Sequence, residues 1–256
     1  MKVVGIRFAS TLLAAAAIAG LAGGENFVII ISDDVGIGDI SALGSQTLST
    51  PNIDRIFKEG ATFTQFHSAP LCSPGRAALL TGVESPRNGV YTSTRFPLDL
   101  IYRVFLPVST GCIHPSATVL PPLLKQAGHF VAYVGKSHTG GYIKNNCTLV
   151  QKGFDYFYGL QVSHEEGFPG PSPENVLLPP VALHENLDLV EQPADLLAMP
   201  DRYLARALEM IRLAGNDTAH VPPPAQRLVK PGPRPGQSLF LTLAFESSHV
   251  PLYVNE

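Results

Sequence analysis

Four groups of residues in this chain are spaced to do chemistry. Asp33-Asp34 follows directly on the apolar run Phe27-Val28-Ile29-Ile30-Ile31 and precedes the turn Val35-Gly36-Ile37-Gly38. Two carboxylates at the carboxyl end of a buried strand stand where α/β folds place their ligands. Read alone, they are the solvated carboxylates of a turn; were they to hold a metal, hard oxygen donors would suit Ca²⁺, or Mg²⁺, better than a thiophilic ion. Cys72-Ser73-Pro74-Gly75-Arg76 opens a short helical pattern that runs through Leu79-Leu80 to Gly82. A helix start presents free N–H groups and the positive end of the dipole, and Arg76 adds a planar cation one turn in, so an oxyanion is favoured there. Read alone, the same motif also fits a capped helix with a buried cysteine. Gly135-Lys136-Ser137-His138-Thr139-Gly140 closes another apolar run, and its Lys136 and His138, two apart, reach one side of a strand-end loop. Ser248-His249-Val250-Pro251 follows a third such run.

The elements that must position these groups alternate in type. Continuous apolar runs predict strands over 26–32, 129–134 and 238–245. Between them, helices are expected from Thr50-Pro51 to Gly60, from near Ser73-Pro74 to Gly82, from Leu120 to Ala127 and from Asp201 to Leu213. Ile53, Ile56 and Phe57 mark one apolar face of the first of these helices. Leu204, Ala207, Leu208 and Ile211 mark that of the last. Alternating strands and helices imply an α/β domain with a largely parallel sheet. The Pro-rich stretches 165–200 and 221–237 read as surface excursions.

The whole chain has 256 residues, 45% of them apolar and 15% charged, with a net charge of -3, which fits a globular domain and gives no sign of a nucleic-acid partner. Residues 1–24 read as a signal peptide: Lys2 and Arg7, an apolar run over 11–22, then Ala22-Gly23-Gly24. The chain is therefore expected to be exported (secreted, periplasmic or lysosomal) without a stable membrane anchor. Of three cysteines, Cys112 and Cys147 are candidates for a disulfide in an oxidising compartment, which leaves Cys72 free.

These segments together resemble the type I, formylglycine-dependent sulfatases. Cys72-Ser-Pro-Gly-Arg76 resembles the family's C-x-P-x-R core, with Gly75 where Ser is usual. Thr50-Pro51-Asn52-Ile53-Asp54 is similar to its T-P-N-[LI]-D helix start, 135–140 to G-K-W-H-x-G with Ser137 in place of Trp, and His249-Val250-Pro251 to H-x-P. The likeness covers nearly all of 26–256, in order, and is nearest to the arylsulfatase A and N-acetylgalactosamine-6-sulfatase branch.

The resemblance implies an alkaline-phosphatase-like sandwich, a largely parallel sheet flanked by helices, with residues 25–256 as an incomplete catalytic domain whose C-terminal portion is missing. It implies that a formylglycine-generating enzyme converts Cys72, and that the hydrated aldehyde attacks the sulfur of a sulfate ester (aryl sulfate or sulfated glycan). By the same likeness Asp33, Asp34 and residue 72 share Ca²⁺, Arg76 and Lys136 stabilise charge, His249 protonates the leaving oxygen, and His138 takes a proton to release sulfate. The family's second metal-binding pair and a later sulfate-binding Lys have no counterpart here, so this chain alone is expected to bind metal weakly and turn over little. Two further readings are a non-catalytic remnant that binds sulfated ligands and a phosphate-ester or phosphonate hydrolase of the alkaline phosphatase superfamily.

Overall fold

A computed structural model describes residues 25–90, 104–107, 109–141, 143–167 and 179–250. The signal-peptide stretch 1–24 lies outside the described residues. Five helices and six strands carry the fold: β1 (Phe27–Ser32), α1 (Pro51–Glu59), α2 (Cys72–Thr81), the single turn α3 (Ser85–Asn88), α4 (Leu120–Gln126), β2 (Phe130–Gly135), β3 (Tyr156–Leu160), β4 (Leu183–Glu185), β5 (Asp188–Glu191), α5 (Met199–Ala214) and β6 (Leu239–Phe245). The strands form one sheet in the order β1-β6-β2-β3-β4-β5. β1, β6, β2 and β3 are mutually parallel, and β4 and β5 extend the sheet antiparallel. That pair falls in 165–200, read from sequence as an excursion. β4 and β5 are only three and four residues long, too short to show a period.

Strand alternation divides the core into two layers. Ala132, Val134, Leu239, Leu241 and Leu243 pack with Tyr203, Ala207 and Met210 of α5. Val131, Tyr133, Phe240 and Ala244 pack on the other side with Ala77 and Leu80 of α2 and Leu124 of α4. Helices thus cover both faces of a mostly parallel sheet, as its buried strands require.

Three expectations need correction. α5 turns Tyr203, Ala207, Met210 and Ala214 inward. Leu204, Leu208 and Ile211 instead stay 38–46% exposed. Both stripes have helical spacing, but only the one bearing Tyr203 meets the sheet, where its ring sits edge-on to Tyr158 at 6.1 Å. α1 buries none of its residues, and Ile53 and Ile56 are 40% and 51% exposed. β1, whose composition is that of a central strand, pairs among the described residues with β6 alone, and Ile30 stands 58% exposed.

Glycine is required where β2 ends. Gly135 has φ +111°, and a Cβ there would lie 1.8 Å from the Ala244 carbonyl oxygen. Gly140, at φ +100°, closes the following loop against Cys112. Cys112 is bonded to Cys147, with Cα atoms 5.5 Å apart, and Cys72 is the free cysteine. No helix of the described residues is long and apolar enough to cross a membrane.

Candidate active site around Cys72

The carboxyl ends of β1, β6 and β2 meet the start of α2. β1 delivers Asp33 and Asp34, β6 delivers Glu246 and His249, and β2 delivers Lys136 and His138. The ends are stitched together by the backbone: Asp33 N–H donates to the Ser247 carbonyl (3.2 Å), Ser248 N–H to that of Asp33 (2.9 Å), and Lys136 N–H to that of Ala244 (2.9 Å). Asp34 and His138 hold φ of +58° and +49°. Such a backbone is uncommon for side-chain-bearing residues and concentrates at functional sites.

Cys72 is the first residue of α2, one position earlier than the pattern suggests. Its Sγ lies 3.0 Å from His138 Nδ1. His138 Nε2 donates to the Phe105 carbonyl at 2.8 Å, which leaves Nδ1 of the neutral ring as the atom facing sulfur. Burial, reinforced by the Lys136 and Arg76 cations, holds the His138 pKa well below its ordinary value. Burial also pushes the Cys72 thiol up, against the pull of Lys136 and Arg76. A thiolate nucleophile needs the opposite shift. This site is therefore poorly built for a cysteine that attacks as itself.

Beneath the thiol lies a buried charge cluster. Lys136, fully buried, donates from Nζ to Asp33 Oδ2 at 2.5 Å and to Ser163 Oγ at 2.9 Å. Arg76 Nη2 stands 3.4 Å from the same carboxylate oxygen. Arg76 Nη1 donates to Tyr133 Oη (3.1 Å) and to the Lys136 carbonyl, which also accepts from Tyr133 (2.7 Å). Arg76 is only 6% exposed, so it forms the floor that fixes the Lys136 loop. Burial raises the Asp33 pKa, but Lys136 and Arg76 more than offset it and the carboxyl ends below its usual range.

Asp34 is open to solvent, its side chain 64% exposed, and its Oδ2 lies 3.6 Å from His249 Nε2. Two adjacent carboxylates are hard donors, but calcium takes six to eight oxygens. Asp33 Oδ2 is already held by two cations. The described residues contain no group of three or more His, Cys, Asp or Glu side chains able to hold a metal ion. Asp33, Asp34 and residue 72 do not make a complete cation site.

Sequence reasoning missed four contributors. Ser163, His164 and Glu165 follow β3 after Gln161 and Val162. Ser163 receives Lys136, the His164 ring lies edge-on to His249 at 5.5 Å, and Glu165 Oε2 lies 3.1 Å from His249 Nδ1. The signal was available, since a polar triplet after an apolar strand is the cue that marks Asp33-Asp34. Glu246, buried at the end of β6, accepts from Tyr203 Oη at 2.8 Å. Burial lifts its pKa to about 7, although Tyr203, Lys136 and Arg76 pull it down.

The Glu246 shift sets a pH dependence. The folded chain holds this proton up to about pH 7, whereas an unfolded glutamate releases it near 4.5. Folding stability from this group therefore falls as pH rises from 4.5 to 7, and the full cost is present above 7. Glu246→Gln, which still accepts from Tyr203, is expected to stabilise the protein by about 3 kcal/mol at pH 8 and by almost nothing at pH 4.5. Urea unfolding at the two pH values checks this, and an equal effect at both would contradict it.

A family model described as Sulfatase matches residues 25–256. Human arylsulfatase G is 33% identical over 256 residues, covering 90% of this chain and 42% of that protein. Rat N-acetylgalactosamine-6-sulfatase is 33% identical over 242 residues, covering 90% and 41%. The chain thus spans about two fifths of the length of these relatives. The solved structure of PsFucS1 sulfatase from Pseudoalteromonas sp. matches with a TM-score of 0.68 at 22% identity, covering 94% of this chain and 47% of that one. BT4656, solved in complex with its substrate D-glucosamine-2-N,6-O-disulfate, matches at 0.54 and 20% identity, covering 88% and 35%. At these identities the structures speak for the fold alone, the alkaline-phosphatase-like sandwich with a mostly parallel sheet. With the family match running from before β1 to the end of the chain, this protein belongs to the sulfatase family.

Proposed function

We propose that this chain carries the nucleophile half of a sulfuric ester hydrolase, in which Cys72 is converted to formylglycine by a formylglycine-generating enzyme. The observation that carries the reading is the setting of Cys72: at a helix start, 3.0 Å from His138 Nδ1, above the Asp33–Lys136–Arg76 cluster, with its thiol pKa raised. Once formed, the aldehyde hydrate supplies an oxygen nucleophile that a raised thiol does not. The residues of this chain do the rest. His138 accepts a proton at Nδ1 from a hydroxyl on Cβ of residue 72. Lys136, pinned by Asp33 and Ser163, contributes a fixed positive charge beside the anionic sulfate, and the α2 N-terminus adds its N–H groups. Arg76 holds the Lys136 loop in place. His249 Nε2 delivers a proton to the leaving oxygen.

Asp33 and Asp34 are the part of a Ca²⁺ (or Mg²⁺) shell that this chain supplies; such an ion would act as a Lewis acid on sulfate oxygens. The substrate class is an aryl sulfate or a sulfated glycan, in keeping with the names of the arylsulfatase and N-acetylgalactosamine-6-sulfatase relatives and with the disulfated sugar bound by BT4656. The Cys112–Cys147 bond suits export to an oxidising compartment. A second reading, a chain that binds sulfated ligands without turnover, is favoured by the lack of a complete cation cluster among the described residues.

The test is turnover of p-nitrophenyl sulfate against p-nitrophenyl phosphate by chain co-expressed with the maturation enzyme, with and without Ca²⁺. Sulfate turnover well above phosphate turnover is expected. Preference for phosphate would overturn the sulfatase reading, and sulfated-ligand binding without turnover would give the lead to the second.

A further inference from the structure

His249 hangs from the turn that follows β6. Two acceptors converge on its Nδ1: the carbonyl of its neighbour Val250 at 2.6 Å and the Glu165 carboxylate at 3.1 Å. An atom between two acceptors must carry the hydrogen. Nε2 is then the nitrogen turned the other way, 3.6 Å from Asp34 Oδ2. The His164 ring, at 82° to the His249 ring, limits its rotation. The Val250 carbonyl moves with the turn that carries His249. Glu165 does not: it belongs to the short helix His164–Gly167 after β3, and Ser163 of the same segment receives the buried Lys136 ammonium. One tripeptide, 163–165, therefore ties both a lysine from the β2 end and a histidine from the β6 end to β3.

We propose that Glu165 is a positioning residue that fixes His249 with Nδ1–H toward β3 and Nε2 toward the sulfate-ester site. The inference rests on the hydrolase reading above for its use, but not for its geometry. A carboxylate on the far nitrogen of a histidine sets which nitrogen works, as in other sites where a carboxylate orients an imidazole. Without Glu165, Nδ1 keeps only the acceptor that moves with the ring, and the two nitrogens exchange places or tautomers.

Two measurements test this. In protein labelled with ¹⁵N-histidine, long-range ¹H–¹⁵N correlation, with the His249 signals assigned by His249→Gln, is expected to show distinct Nδ1 and Nε2 environments in the parent. Glu165→Gln, whose amide oxygen still accepts, should keep them distinct, and Glu165→Ala should average them. An unchanged spectrum in Glu165→Ala would mean that Val250 alone holds the ring, and the proposal would be wrong. In matured protein, Glu165→Ala should lower kcat for an alkyl sulfate at least about tenfold more than for p-nitrophenyl sulfate, because only the poor leaving group depends on a delivered proton. Equal losses on both substrates would count against a positioning role. If the parent hydrolyses no sulfate ester at all, the hydrolase reading fails, while the nitrogen spectrum still decides whether Glu165 orients His249.

Discussion

Lys136→Met is expected to lower the unfolding free energy by about 3 kcal/mol, although it replaces a buried polar chain with an apolar one of similar length. The cost arises on the partner. Lys136 is fully buried and donates to both Asp33 and Ser163. Removing it leaves an 8% exposed carboxylate with Arg76, at 3.4 Å, as its remaining cation. Because the Asp33 pKa is depressed, the stability it contributes is present above its unfolded value of 3.8 and is lost as pH falls through the folded value. The penalty for losing Lys136 should therefore shrink in acid, where Asp33 is neutral. Asp33→Asn with Lys136→Met should cost clearly less than the sum of the single changes, the mark of a directly coupled pair. Urea unfolding of the four proteins at pH 7 reads this out. Strict additivity would show that the cluster is not a unit.

The second large effect is on turnover. In converted protein, His138→Ala is expected to lower kcat by about 10²- to 10⁴-fold, the usual worth of a positioned proton acceptor. Its Nε2–H is spent on Phe105, so the Nδ1 lone pair faces residue 72. Burial and the neighbouring cations keep the ring neutral, so it is ready to accept a proton through the neutral pH range. Any acid limb of the kcat profile near pH 6 must then belong to another group. A loss of less than about fivefold in His138→Ala would remove His138 from the proton path.

Much of this site is local in sequence and could be read there. Asp33-Asp34, Cys72 to Arg76 and 135–140 each combine an element boundary with reactive side chains, and the boundary fixes where the side chains go. α2 starts within one residue of expectation because Pro74 and Gly82 bracket it. The part that could not be read depends on distant partners. Nothing around Arg76 shows that its guanidinium turns inward to Tyr133, 57 residues on, rather than outward to an anion. Glu165 matters only because the chain returns 84 residues later to place His249 beside it. α5 shows the same limit in the core. Leu204, Leu208 and Ile211 form as regular a stripe as Tyr203, Ala207 and Met210, and only the sheet decides which is inside. In α1 the apolar face is plain in the sequence, but among the described residues none of its side chains is fully buried.

In the sulfatase reading Cys72 is a precursor rather than a nucleophile. Peptide mass spectrometry across residue 72, on protein co-expressed with a formylglycine-generating enzyme, tests it directly. A peptide about 18 Da lighter than the thiol form is expected, the mass balance for exchanging the CH₂–SH group for an aldehyde. An unmodified Cys72, under conditions that fully convert a control sulfatase, would contradict it.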